Sequence, residues 1–416
     1  MSLNAAEIVD YTDPETIATQ RDYVLYSKQV HSYSPAIQKI LDLINDYVPD
    51  AEAAFRAGAP AIWTGGYSWE PPFLYSLGIT PVSYQEMGRY GFREDMLVAE
   101  DYYQFPVETC SMVKCAVGQW HKRLNTGTIN RILGSASSCE PFNLAWEVLR
   151  KEGYDVFTNE VLYRGPSVNG ERLEQLVQLM MENLLDIAEW LTGKREIDEA
   201  ALRRELDRKN RLLVKFKRIL ELRLSHPFYM KTLAIILTLN VGLNNYFGKP
   251  EPFEAAIDEL IEELEKRPIN QEELKRVVPL VWAGGTGQEF GVYEAIDLAG
   301  GALLGLRGTP FKLVREDIPP LEALARYLYE NGRAGAGVFT RDIIESEVER
   351  LKAKGIILYG YIGCSFASVD REMWRRYFHA KGHPCLNLEG TFQTGLPSGQ
   401  VLTRIKAFVE MLLADR

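Results

Sequence analysis

The chain has 416 residues, 46% of them hydrophobic and 25% charged, with a formal net charge of −10. That length predicts two or three domains, each able to bury a core of its own, and the acidic balance leaves no basic field to gather the phosphates of a nucleic acid. The longest apolar run, Leu233–Val241, is interrupted by Thr238 and Asn240 and is too short to cross a bilayer, so no membrane partner is expected.

Residues 1–55 read as an N-terminal helical arm. Ile37, Ile40, Leu41, Ile44 and Tyr47 recur at helical spacing, and the helix is expected to stop before Pro49. From 56 to 165 strand and helix patterns alternate. Ala61-Ile62-Trp63 is a strand, and Pro71-Pro72 opens a helix that stops at Gly78. Thr80–Tyr84 and Ile129–Leu133 are further strands, Asn143–Lys151 is a helix and Asp155–Thr158 a strand. Residues 166–267 form a helical region: Leu173, Val177, Met180, Leu184, Ile187 and Leu191 step by three and four, Gly193 breaks the run, and Asp198 caps the next helix. Residues 268–416 return to alternation. Strands are expected at Val277–Trp282, Ala302–Gly305 and Ile356–Tyr361, with a minor one at Gly337–Phe339. A helix over Val369–Lys381, a strand over Pro384–Leu388 and a closing helix from Gly399 complete the unit. The predicted class is α/β: two Rossmann-like parallel-sheet units with a helical insert and the N-terminal arm. Ligands in such sheets gather at the carboxyl ends of the strands, where Ser68, Glu86 and Cys139 fall.

The chain has five cysteines, an odd number too sparse for a disulfide scaffold, and Met1–Asp10 lacks the apolar run of a signal peptide. A reducing cytoplasm is the expected compartment. Three thiols, Cys110, Cys139 and Cys364, sit where a loop or helix start is expected, the arrangement by which a protein aims thiolates at a soft metal or an iron–sulfur cluster. Cys110 and Cys115 have a C-x4-C spacing, but no second pair completes a zinc site. Gly285-Thr286-Gly287 lacks the third glycine of a dinucleotide fingerprint, and no Walker A sequence occurs, so any use of ATP belongs to another protein.

The stretches Cys110-Ser-Met-Val-Lys, Ser138-Cys139-Glu-Pro-Phe-Asn and Gly363-Cys364-Ser365, with the tail Ser398-Gly-Gln-Val-Leu-Thr-Arg-Ile-Lys-Ala-Phe-Val-Glu, resemble the 2-hydroxyacyl-CoA dehydratase family. That family includes benzoyl-CoA reductase subunits and double-cubane-cluster reductases. The stretch from Ser68 through Glu-Pro-Pro to Gly-Ile-Thr-Pro-Val is similar as well, and the likeness runs from about Pro60 onward. The resemblance implies a 4Fe–4S cluster held by Cys110, Cys139 and Cys364. It also implies a separate ATP-hydrolysing iron–sulfur activator that injects one low-potential electron, and dehydration of an (R)-2-hydroxyacyl-CoA through a ketyl radical. Ser68 and Glu86 match the family's catalytic Ser and Glu. Cys115 is an additional candidate metal ligand. A homologous second subunit or a homodimer is expected. Two alternatives stand beside this reading: an ATP-dependent reductase of the benzoyl-CoA or double-cubane type, and a non-catalytic electron-relay or assembly subunit. An 8Fe–9S double cubane would need six thiolates, one more than the chain has. Cys385 lies at a strand start beside Pro384, about 10 Å from the loop of Cys364 at 3.3 Å per strand residue. At Gly390-Thr391 the chain departs from relatives that carry an acidic residue after this strand.

Overall fold

The computed structural model describes residues 22–65, 71–84, 86, 93–136, 139–285, 290–306, 312–331, 335–364, 370–390 and 399–414. They form two four-stranded, all-parallel sheets covered by helices, the α/β class with two Rossmann-like units. The first sheet contains β1 (Ala61–Thr64), β2 (Thr80–Ser83), β3 (Arg131–Ala136) and β4 (Asp155–Glu160) in the order β2-β1-β3-β4. The second contains β5 (Val278–Gly284), β6 (Gly301–Leu306), β7 (Gly355–Tyr361) and β8 (Cys385–Gly390) in the order β6-β5-β7-β8. The two orders are the same. In each unit the chain leaves its first strand toward one edge and then crosses to the other, so a topological switch point lies between β1 and β3 and another between β5 and β7.

Both faces of each sheet are buried. Ile62 and Leu133 pack with Phe73 and Leu184, whereas Trp63 and Ile132 join a different cluster; Leu280 and Trp282 likewise separate from Val281 and Ala283. This explains runs such as Ile356-Ile357-Leu358-Tyr359 in β7, buried at every position. The cluster holding Trp63 and Ile132 also holds Trp282, Ile357 and Tyr359, so one apolar core is shared by the two sheets.

The α-helices of six residues or more are α1 (Asp22–Val30), α2 (Pro35–Arg56), α3 (Pro71–Ser76), α4 (Ser111–Lys122), α5 (Glu140–Lys151), α6 (Gly170–Thr192) and α7 (Glu199–Arg223). After these come α8 (Pro250–Lys266), α9 (Phe290–Leu298), α10 (Pro320–Asn331), α11 (Gly337–Leu351), α12 (Arg371–Ala380) and α13 (Gly399–Ala414). Asp198 caps α7 as its position predicts, accepting from Ala200 N at 2.9 Å and Ala201 N at 3.0 Å. Two expectations are corrected. First, α2 does not stop before Pro49 but runs through it to Arg56. An interior proline costs about 3 kcal/mol. Beyond Pro49 the helix buries Ala51, packs Phe55 against the core and pairs Glu52 with Arg123 at 2.7 Å, contacts that a stop before the proline would forgo. Second, Gly337–Phe339 is not a strand but the first turn of α11, whose Ile344, Val348 and Leu351 share one buried face.

Candidate active site

The switch-point geometry places two of the thiols at equivalent positions. Cys139 lies three residues beyond the end of β3, and Cys364 three residues beyond the end of β7, its counterpart in the second sheet. Cys139 is the N-cap residue of α5, and Cys110 that of α4. Neither sulfur completes a capping hydrogen bond of regular geometry. The first-turn amides of Met112 and Val113 nevertheless face the Cys110 sulfur, and that of Phe142 faces Cys139, each favouring the thiolate.

The Cys110 and Cys364 thiols are in hydrogen-bonding contact. This contact and, after it, burial hold Cys110 well above the ordinary thiol range. Burial pushes Cys139 up to about 11, and the neighbouring charge of Cys364 adds to the rise. Cys364 is thus the thiol common to both interactions. Tyr361, at the end of β7, is buried; its hydroxyl is raised by burial first, then by Tyr293 and Tyr84, then by Cys110 and Cys364. Tyr84 meets Phe142 edge-on at 5.0 Å, and Phe142 stacks on Trp146 at 4.9 Å. The thiols therefore sit against an aromatic wall contributed by both units.

Two features hold this meeting point in place. Gly363 has φ +76°, and a Cβ there would be driven into the Glu108 carbonyl oxygen and would stand 3.1 Å from Cys110 N. Only glycine lets the loop after β7 lie on the backbone that carries Cys110. Lys114, buried on α4, donates to Glu100 Oε1 at 2.6 Å and to the Val107 carbonyl at 2.6 Å, tying the segment that leads to Cys110 onto the helix Cys110 begins.

Glu86 follows β2 and is 3% exposed, a buried carboxyl on the strand-end side. The ends of β2 and β3 flank β1, about 10 Å apart at two inter-strand spacings. Ser68 lies outside the described residues. Cys115 is fully buried within α4 and faces Asp95 and Lys122 rather than another thiol; burial pushes it up to about 12. Cys385 begins β8 paired with Ile356, at the end of β7 opposite to Cys364, and its thiol donates to the His383 carbonyl at 3.5 Å. Among the described residues no three His, Cys, Asp or Glu side chains crowd around a point fit for one metal ion. Tyr84, Tyr361, Gly363 and Lys114 were not predicted from the sequence as parts of the site. The signals available were a tyrosine closing each of two strands, a glycine before Cys364, and a lysine one turn into the Cys110 stretch.

A family model described as 2-hydroxyglutaryl-CoA dehydratase, D-component, matches residues 71–412, from α3 into the last helix, which takes in every strand of the two sheets except β1. No curated protein shows significant similarity to the chain. The chain belongs to the 2-hydroxyglutaryl-CoA dehydratase D-component family and is a subunit of the 2-hydroxyacyl-CoA dehydratase type.

Proposed function

We propose that this chain is the iron–sulfur subunit of an enzyme that dehydrates an (R)-2-hydroxyacyl-CoA, with a 4Fe–4S cluster held by Cys110, Cys139 and Cys364. The observation that carries this reading is the contact between Cys110 and Cys364, thiols from the two units, with Cys139 close enough to feel the charge of Cys364. The donor set fits such a group. Thiolates are its usual ligands, and amides aimed at the sulfurs are one of the levers that set its potential. The raised thiols, costly to ionise in an empty buried site, lose their protons to a cation that replaces them. Cys115 and Cys385 face elsewhere, which leaves three gathered thiols and favours one cubane over a double one.

When bound, the cluster supplies single-electron chemistry at low potential and a Lewis-acidic iron that no protein thiolate fills. The chain's own residues perform the rest. The aromatic wall of Tyr84, Phe142 and Tyr361 keeps water from the thiols, and Glu86 holds or moves the proton that the departing hydroxyl requires. Ser68 has the residue type to orient the substrate. The electron comes from a separate ATP-hydrolysing iron–sulfur activator, as the family resemblance implies; the sequence carries no Walker A motif. A homologous second subunit or a second copy completes the enzyme.

Anaerobic purification with iron and sulfide analysis tests this reading. About four irons per chain and a broad absorbance near 400 nm are expected. Cys110→Ser, Cys139→Ser and Cys364→Ser each lower the iron content, whereas Cys115→Ser and Cys385→Ser retain it. Glu86→Gln retains iron and loses dehydration. A colourless wild-type chain without iron would refute the proposal.

A further inference from the structure

Arg164, four residues beyond the end of β4, is a partly buried guanidinium. Among the described residues no carboxylate pairs with it. Its guanidinium carbon lies over the Phe339 ring, 3.9 Å from the centroid, and one of its amino groups donates to the Glu330 carbonyl. Its backbone bridges to Gly335, so the loop after β4 meets the connection that joins β6 to β7 in the second unit. Arginine has five N–H donors, and the stack and the single bond leave most of them uncommitted in a fixed orientation. Burial pulls the guanidinium below its ordinary range.

Two neighbours extend the feature. Lys312 pairs with Glu330, yet it is held below its ordinary value by burial and then by the nearby positive charges of Arg164 and Arg315. The Tyr329 hydroxyl is close enough to Arg164 to act on its charge, is buried, and has no hydrogen-bond partner among the described residues. The other charges here are neutralised locally: Arg315 by Asp317, and Arg326 by Glu322 and Glu174. What is left over is one positive charge, oriented donors and an unused hydroxyl, in a chain whose net charge is −10.

We propose that Arg164, with Lys312 and the Tyr329 hydroxyl beside it, binds an oxyanion of the substrate, either a phosphate of a nucleotide-bearing carrier or a carboxylate of the acyl group. This rests on the proposed acyl-CoA reading and deepens it. The location suits the role, because β4 pairs with β3 along its whole length and Cys139 follows β3, so Arg164 and the thiols share one strand-end edge. A planar donor array held against a ring suits a phosphate or carboxylate oxygen pair.

Isothermal titration of the purified chain at low salt tests the proposal, with coenzyme A, inorganic pyrophosphate, glutarate and pantetheine as probes. The wild type is expected to bind coenzyme A more tightly than pantetheine, which has no phosphate. Arg164→Gln should weaken coenzyme A and pyrophosphate at least tenfold, Arg164→Lys should weaken them less, and pantetheine should be unaffected by either. A tenfold loss confined to glutarate would keep the site and identify its anion as the acyl carboxylate. Should Arg164→Gln fail to fold, Lys312→Gln, at a more exposed position, is expected to weaken the same anion severalfold and flatten its salt dependence. Anion affinities within twofold of wild type in a folded Arg164→Gln chain, or no anion binding by the wild type, would overturn the inference. The iron content of the same samples separates the two readings. Anion binding that depends on Arg164 in an iron-free chain would sink only the cluster, and an iron-loaded chain indifferent to Arg164 would sink only this site.

Discussion

Replacing Gly363 with alanine tests how the two units are held at the thiols. Two costs add at this position. A non-glycine residue at φ +76° loses about 1–2 kcal/mol to the left-handed backbone. The new Cβ also meets the Glu108 carbonyl and Cys110 N, backbone atoms that cannot rotate away, and forced overpacking costs about 1–3 kcal/mol. The sum is about 2–5 kcal/mol, a large share of the 5–15 kcal/mol typical of a folded domain. Gly382 supplies the control. It has nearly the same φ, +81°, with nothing within 4 Å of a built Cβ, so Gly382→Ala should lose only the backbone cost. Urea unfolding of both variants, compared at unchanged m, isolates the contact. A second readout is specific to the site. In the iron-free chain a small oxidant should join Cys110 to Cys364 as a disulfide detectable by mass spectrometry, and Gly363→Ala should suppress it. Equal losses for the two alanine variants, with disulfide capture intact, would refute the account of Gly363 as the residue that permits the close approach.

Further outcomes are expected at two other sites. Lys114→Met leaves the half-buried Glu100 carboxylate and the Val107 carbonyl without their shared donor and should cost about 1–3 kcal/mol, allowing for the residual exposure of Glu100. It should also lower iron retention in the anaerobic chain, because the segment leading to Cys110 is freed; unchanged stability and iron content would contradict the clamp. His31 is buried and neutral, its Nδ1 donating to the Ser27 carbonyl at 2.7 Å and its Nε2 accepting from Lys231 N at 3.0 Å. Burial, the largest cause, lowers it to about 4. The unfolded chain therefore takes up the proton first as pH falls from about 6.5, and the stability His31 contributes is lost between there and about 4, on the order of 3 kcal/mol in all. His31→Gln should flatten that part of the stability–pH curve; an unaltered slope would show that other groups carry it.

The periodicities that were legible in the sequence are those with a local cause. The alternation of strand and helix, the break at Gly193 and the cap at Asp198 each follow from the residues that make them. The failures mark where tertiary contacts decide. Nothing near Pro49 says that α2 continues, because the contacts made beyond the proline are tertiary, among them the pair of Glu52 with Arg123, 71 residues along the chain. At Gly337-Val338-Phe339 three apolar or small residues resemble a strand, and only the later Ile344, Val348 and Leu351 reveal the helical period. The candidate thiols stood out as residue types at expected loop ends. That they should meet followed only from the family resemblance, and the glycine of one unit that lies on the backbone of the other was not singled out.

The two units share one strand order and the same three-residue step from the third strand to a cysteine, so Cys139 and Cys364 have equivalent origins. Cys110 does not. It comes from the connection between β2 and β3, and the matching connection between β6 and β7 contains no cysteine at all. The thiol set is therefore asymmetric by construction: the first unit gives two sulfurs and the second gives one. The freed β6–β7 connection carries Lys312, Tyr329, Glu330 and Phe339, the groups gathered around Arg164. If the two units arose as copies of one pattern, the proposed readings give the same connection two tasks, metal ligation in the first and anion capture in the second. That division carries a consequence for exchange experiments. Moving a cysteine into the β6–β7 connection should gain no iron, because Gly363 meets the backbone of the first connection and, among the described residues, no equivalent glycine contact brings the second one to the thiols.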